Sequence, residues 1–296
     1  MANLKEVRVR IASVNTTQQI TKAMKLVAAS KLKRAQDRIL QMRPYSEKLN
    51  EMLSNIMSGM ESGGTLAFNK KRDAKKVLII LMTSDKGLAG GFNSNLIKTA
   101  RRLVTETYAE QKKKGNVTLL SVGKKGHDFF KKDKELVFID DHINLLQGLS
   151  FDKSKAVSEF LMQAFTEEKY DVIELVYAKF VNAATQSFMV ERFLPVAPSA
   201  NNKGTKTKAD YIFEPEKGKL LEELVPKILN TQFFKAILDT NASEHGARMV
   251  AMEAATNNAN DLIRNLKILY NRERQAAITK EILEIVGGAA ALEEKG

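Results

Sequence analysis

Residues 219–286 read KLLEELVPKILNTQFFKAILDTNASEHGARMVAMEAATNNANDLIRNLKILYNRERQAAITKEILEIV. The last proline of the chain is Pro226, and Gly246 is the one glycine between there and Gly287. With so few breakers the stretch predicts a single long helix. At about 1.5 Å per residue it would extend roughly 100 Å, several times the width of a compact domain of about 30 Å. Such a helix has to lie along another long helix or enter a partner. Its apolar seam is thin: Met249, Met252, Ala259, Ile263, Leu266 and Tyr270, diluted by small and polar groups from Thr256 to Asn260. That seam suits a two-stranded coil better than a globular core.

The helix needed to pair with it stands at the other end of the chain. Residues 3–58 contain no glycine and one proline, Pro44. Asn3 and Glu6 have capping-box spacing. Leu4, Val7, Ile11 and Val14 form a 3-4-3 seam, polar residues Asn15 to Gln19 interrupt it, and Met24, Ala28, Leu32, Ala35, Ile39 and Met42 resume it in a second phase. Pro44, lacking an N–H, is expected to kink or divide this helix, and Gly59, Gly63 and Gly64 to end it. Two long helices at opposite ends of one chain lie side by side only if they run antiparallel, with whatever separates them attached at one end.

What separates them reads differently. Twelve of the sixteen glycines fall between Gly59 and Gly218. Strand-like runs at Lys75–Met82, Asn116–Val122, Glu135–Asp140 and Tyr170–Phe180 alternate with helical stretches at Leu96–Lys114, Lys124–Lys132 and Lys153–Glu168, the last with Phe160, Leu161 and Phe165 on its apolar side. Gln186–Leu194 is a neighbour strand to Tyr170–Phe180. Alternation of this kind predicts an α/β, Rossmann-like domain with a largely parallel sheet. The predicted divisions are thus an N-terminal coil helix over 1–58, a central α/β domain and linker over 59–215, and a C-terminal coil helix over 216–296.

Composition narrows the function classes. The longest apolar run in the middle, Val77 to Met82, is far short of the roughly 18 residues needed to cross a bilayer. The charged start of the chain is not a signal peptide, and its basic, apolar stripe continues as a structural helix rather than a presequence. There is no cysteine, which removes disulfides, thiolate metal sites and cysteine nucleophiles and suits a cytosolic compartment. Net charge is +12. Residues 1–48 hold eleven Lys/Arg against three acids, while residues 219–296 are nearly balanced, so the surplus sits on the first helix and in the middle. An acidic partner is implied.

Chemistry-bearing motifs are few. Ser84–Asn93, SDKGLAGGFN, follows a strand and precedes a helix, where phosphate loops sit, yet it matches neither G-x-G-x-x-G nor G-x-x-x-x-G-K-[ST]. It reads as a glycine turn, and a nucleotide-dependent enzyme built on it is one alternative. His127, His142 and His245 are scattered, and Asp140–Asp141 reads as a solvated turn. The basic face with Lys22, Lys25, Lys33 and Arg34 admits a second alternative, a coiled-coil nucleic-acid binder, although few aromatics accompany it.

Three longer stretches carry a resemblance. Thr21–Lys31 (TKAMKLVAASK), Ala242–Asn258 (ASEHGARMVAMEAATNN) and Tyr270–Ala291 (YNRERQAAITKEILEIVGGAAA) resemble the terminal signatures of the gamma subunit of F-type ATP synthases, and Ser84–Gly91 resembles that family's loop after the first strand. The resemblance runs the length of the chain. It implies a rotor shaft, non-catalytic in itself, that couples ion flow across a membrane to ATP synthesis or hydrolysis. The implied partners are the alpha and beta subunits of the ATPase ring, the epsilon subunit and the ring of c subunits, with no nucleic acid. It implies no cofactor, metal or catalytic residue. The implied location is peripheral, on the cytoplasmic face of a bacterial cell membrane through the complex alone. Rotor–stator contacts map by motif onto Met24, Arg248, Gln275, Thr279 and Glu281, with the apolar tip beyond Val286 in a sleeve. The absence of cysteine excludes the thiol regulation of chloroplast members.

Overall fold

A computed structural model of the chain describes residues 4–58, 67–70, 72–196 and 217–293. The chain forms two compact units, one of Met1–Val27 with Met249–Gly296 and the other of Ala28–Arg248. The glycines expected to end the first helix, and the linker expected around Pro198 and Asn201–Lys208, lie outside the described residues.

The sheet belongs to the Ala28–Arg248 unit. Its strands are β1 (Val77–Met82), β2 (Val117–Val122), β3 (Val137–Ile139), β4 (Val172–Phe180) and β5 (Gln186–Leu194), in the order β3-β2-β1-β4-β5. The first four are parallel and β5 is antiparallel to β4. All six residues of β1 are buried because both of its faces are covered, which is why its sequence is a continuous apolar run. Leu78, Ile80 and Met82 join a core with Val157, Leu161 and Phe165 of α5 (Phe151–Thr166) and with Val225, Leu229, Phe233 and Ile237 of α6 (Lys217–Glu293). Val77, Ile79 and Leu81 join the opposite core with Phe92, Leu96 and Ala100 of α2 (Phe92–Arg102). On β5 half-buried and exposed positions alternate, apart from Phe188 and Met189, until the buried Phe193 and Leu194, as suits an edge strand with one wet face.

Four sequence expectations are corrected. The expected helix over Leu96–Lys114 is α2, then a π-helical turn at Leu103–Thr107, then α3 (Ala109–Lys113). After that turn the Tyr108 hydroxyl donates to buried Glu174 of β4 at 2.7 Å, and Arg192 of β5 pairs with the same carboxylate at 2.8 Å. The carboxylate is thereby satisfied inside the sheet layer. Phe160 of α5 is partly exposed: the buried stripe runs through Val157, Leu161 and Phe165, and Phe160 lies off it beside His142. The third strand and the helix before it, α4 (Lys124–Phe130), are each shorter than expected. Finally, of the two outcomes expected at Pro44, a kink or a division, division does not occur: α1 runs unbroken over Leu4–Ser58. Leu40, whose carbonyl loses its donor, is exposed, so water can take that acceptor.

Within the same unit α1 buries Ala28, Leu32, Ala35 and Leu49, and its Arg38, Met42 and Tyr45 line a shallow groove with Phe151 of α5 and Phe234 of α6. Asp239 of α6 is 5% exposed. Burial pushes its carboxyl up to about 6, against the pull of Lys235 on α6, Lys179 on β4, Arg43 on α1 and the backbone N–H of Phe180. A carboxyl raised in the folded state favours folding fully below its ordinary value near 3.8, and that contribution is lost as pH rises through about 6. The Asp239→Asn variant should therefore be more stable than the parent at pH 7, by up to about 3 kcal/mol. Its advantage should shrink to nothing as pH falls toward 4. Urea unfolding of both chains across that interval checks it.

Candidate functional site

In open parallel sheets ligands bind in the crevice outside the carboxyl ends of the strands, where the strand order reverses. Here that position lies between β1 and β4, and α6 fills it. Thr240 and Ser243 of α6 are at most 1% exposed. Thr240 Oγ1 accepts from the backbone N–H of Ala178 at 3.4 Å and lies 3.8 Å from Met82 Sδ, and Ser243 Oγ donates to the Ala178 carbonyl at 3.1 Å. Gly246 permits the approach: a Cβ there would stand 3.0 Å from the Ala183 carbonyl oxygen in the β4–β5 turn.

The glycine loop closes on the same helix. Ser84 Oγ donates to the Lys86 carbonyl at 2.7 Å, and the Ser84 backbone N–H donates to Asn93 Oδ1 at 3.0 Å. Leu88 and Gly90 adopt left-handed backbone angles, φ 63° and 57°. Arg248 of α6 donates to the carbonyls of Gly87 and Lys86, and its guanidinium pairs with Glu244 one helical turn earlier at 2.6 Å, at the spacing read from the sequence. A phosphate loop presents N–H groups to an anion, whereas this loop presents carbonyls to a cation. Burial pushes the Glu244 carboxyl up and Arg248 opposes that shift. Burial also holds the His245 imidazole down at about 4, with the positive charges of Lys31 and Arg248 acting in the same direction, so it is neutral near pH 7. His127 pairs with Asp140 and His142 packs on Phe160, so the three histidines do not meet. Among the described residues no cluster of His, Asp and Glu could hold a metal ion.

The other unit is an antiparallel helix pair. Arg8 donates to the Tyr270 hydroxyl at 2.8 Å, Gln18 to Asn260 at 2.6 Å, Thr256 to Thr21 at 2.8 Å, and Lys25 pairs with Glu253 at 2.6 Å. Each step forward on α1 is matched by an equal step back on α6. Of the seam residues, Val7, Met252, Ala259, Ile263 and Leu266 are buried, while Leu4, Ile11, Val14, Met249 and Tyr270 are half-buried. Met24 is half-buried on α1. Along the chain the polar interruptions at Asn15–Gln19 and Thr256–Asn260 stand far apart. The structure brings them into register, where Gln18 meets Asn260 and Thr21 meets Thr256. Their shared position in two antiparallel seams is the signal that could have paired them. Nothing in the sequence pattern marked the Tyr108–Glu174–Arg192 cluster.

Soon after Tyr270 the helix α6 outruns its partner, because Tyr270 meets Arg8 and α1 begins only one turn before that, at Leu4. Gln275, Thr279 and Glu281 are exposed, and so are Ile278, Ile282, Leu283, Ile285 and Val286. The last of these are 54–72% exposed along one unbroken helix. A run of apolar side chains this exposed marks an interaction surface.

A sequence model of the family described as ATP synthase matches residues 3–292. The ATP synthase gamma chain of Cytophaga hutchinsonii is 51% identical over 294 residues, and that of Christiangramia forsetii 50% identical over 294 residues, each match covering 99% of both chains. Among solved structures, a chain of the central stalk and c-ring of Tetrahymena thermophila mitochondrial ATP synthase is 25% identical with a TM-score of 0.55, covering 80% of this chain and 99% of that one. A chain of the Euglena gracilis mitochondrial ATP synthase rotor, 18% identical, has the same fold with a TM-score of 0.60 over 93% of this chain and 98% of that one.

The position of Arg248 yields a test. Arg248→Ala leaves Glu244 buried without its cation and releases the loop carbonyls, and should lower the stability of the isolated chain by about 3–5 kcal/mol. Adding Glu244→Gln should restore part of that loss, as read from urea midpoints of the single and double variants.

Proposed function

The chain belongs to the ATP synthase gamma-chain family, and from that premise we propose that it works as the central rotor shaft of such a complex. Rotation of the shaft couples ion flow across the membrane to ATP synthesis or hydrolysis in the ring of alpha and beta subunits. The observation that carries this reading is the helix pair that becomes a single helix: α1 and α6 are joined along their seam, and α6 then continues alone with an exposed apolar end.

Each part of that arrangement suits a shaft. Two helices tied by cross-helix hydrogen bonds and an ion pair resist bending and twisting more than one helix does. The exposed side of the pair between Glu253 and Asn260 presents Glu253, Ala254, Asn257, Asn258 and Asn260, small or polar groups that slide past a neighbour without an apolar hold. The apolar end from Ile278 to Val286 needs an apolar sleeve to cover it. Lys22, Lys33 and Arg34 are exposed on α1 and suit an acidic segment of the surrounding ring. Attraction of that kind is screened beyond about 8–10 Å, so it biases position without locking it.

The chain is non-catalytic by itself in this reading. Support comes from the sheet crevice, which α6 fills, and from the glycine loop, whose carbonyls are committed to Arg248. The α/β unit then serves as the foot of the shaft, beside the epsilon subunit and on the c-ring. The location is peripheral, on the cytoplasmic face of a bacterial cell membrane. Among the described residues no helix is long and apolar enough to cross a membrane, in keeping with attachment through the complex.

Met24, Gln275, Thr279 and Glu281 are the proposed contacts with the ring. Arg248 is the fifth, and its guanidinium is committed to Glu244 and the glycine loop, so its part in contact is indirect. Affinity purification of the tagged chain from its own cells should bring down catalytic alpha and beta subunits, and recovery without them would count against the shaft. Gln275 and Thr279 share one helix face at i,i+4 spacing. Replacing both with alanine should weaken retention of the chain in the purified complex by roughly tenfold, about 1.4 kcal/mol, while the chain's own unfolding midpoint stays put, since both are exposed.

A further inference from the structure

The basic surplus in the middle of the chain has a definite place in the fold. Parallel strands enter a sheet at one common edge, and the register Val77↔Val117 and Thr118↔Val137 aligns the entries of β1, β2 and β3. Lys75 and Lys76 precede β1, Lys113 and Lys114 precede β2, and Lys132 and Lys134 precede β3. All six are exposed, and none has an ion pair among the described residues. Adjacent strands lie about 4.8 Å apart, so the three pairs spread over little more than a Debye length of about 8 Å and their fields add.

The acids nearby offset only part of this charge and leave the edge positive. Asp133 and Glu135 are held by Lys112 at 2.9 and 3.1 Å, Glu168 by Arg72 and Lys70, and Glu167 by Lys169. Asp171 accepts from the backbone N–H groups of Lys75 and Lys76. Asp73 and Glu110 are exposed and have no ion pair among the described residues. Two apolar side chains stand among the lysines: Val137 at the start of β3, 52% exposed, and Phe129 at the end of α4 that leads toward it, 47% exposed. The opposite edge of the sheet is covered by α6 through Thr240, Ser243 and Arg248.

We propose that this strand-entry edge is a contact surface for the anionic headgroups of a lipid bilayer, with the lysines held against lipid phosphates and Phe129 and Val137 touching the headgroup layer. The proposal rests on the rotor reading, which stands the α/β unit on a ring embedded in a membrane. Unpaired lysines interleaved with exposed apolar side chains favour a bilayer over an acidic protein segment, because a bilayer surface accepts both. The contact would be sliding and weak, as a turning part requires.

The test uses the chain assembled with its alpha and beta subunits, so that the basic face of α1 is covered, and measures sedimentation with phosphatidylcholine vesicles with and without phosphatidylglycerol. The parent complex should bind only the anionic vesicles, more weakly as salt rises. Each lysine near such a surface is worth about 1 kcal/mol, about fivefold in partitioning. The set Lys113→Gln, Lys114→Gln, Lys132→Gln and Lys134→Gln should therefore lose at least tenfold, while the same four positions changed to Arg keep the binding. Lys124→Gln with Lys155→Gln, both away from this edge, should leave it unchanged. Equal binding by the Gln set, no anionic binding by the parent, or capture of an acidic subunit in place of lipid overturns the proposal. Failure of the parent chain to join the ring counts against the rotor reading instead, and the same vesicle comparison on the chain alone then decides the edge.

Discussion

Everything in this protein depends on one helix having to satisfy two surroundings. From Ile228 to Ala247 α6 is buried nearly all round: Leu229, Phe233 and Ile237 face one core, Ala247 the other, and Thr240 and Ser243 are bonded to β4. From Met249 onward only a narrow stripe is buried, with Met252, Ala259, Ile263 and Leu266 at the spacing of a two-helix seam. The backbone hydrogen bonds run on without a break, although the side-chain environment changes completely near Arg248. Continuity of that kind is what a torque path needs. The segment gripped by the sheet and the segment that pairs with α1 belong to one hydrogen-bonded helix.

The grip is specific because it is polar. Apolar packing alone tolerates rotation of a helix about its axis, since many rotamers fill the same space. Thr240, Ser243 and Arg248 fix both the azimuth and the axial position of α6, because each bonds to the backbone of β4 or of the glycine loop. Glu244 is stable as a buried carboxylate only with Arg248 beside it. The crevice that in related architectures receives a ligand is spent here on holding a helix. The glycine loop survives as a bracket for Arg248, which explains a phosphate-loop position without a phosphate-loop sequence.

Much of this was legible in the residues, and the parts that were not share a cause. Long helices, the strand–helix alternation of the middle, and the Glu244–Arg248 pair follow from periodicity and spacing, which act along the chain. The unbroken course of α1 through Pro44 did not, because the cost of a proline depends on whether the carbonyl it strands is wet, and that is a property of the surface. The π turn before Tyr108 did not either, since its partner Glu174 stands far away in sequence on β4. The exposure of Phe160 was set by where α5 settles on the sheet, and a helical wheel leaves that undetermined. The glycine loop was readable as a turn, but its cation became visible only when α6 was in place.

The seam of the helix pair carries the last step. A coil meant only to be stable would fill its seam with leucine, yet here Thr21 meets Thr256 in its middle, with Gln18 and Asn260 bonded at its rim. A polar pair inside a two-helix seam lowers stability and sets register, because any shift of one helix along the other separates the partners. For a pair of helices that is pushed sideways by its surroundings and has to return each push at the same angle, register matters more than depth of burial. The polar interruptions therefore do for the coil what Arg248 does for the sheet. Both convert a contact that could slip into one that transmits.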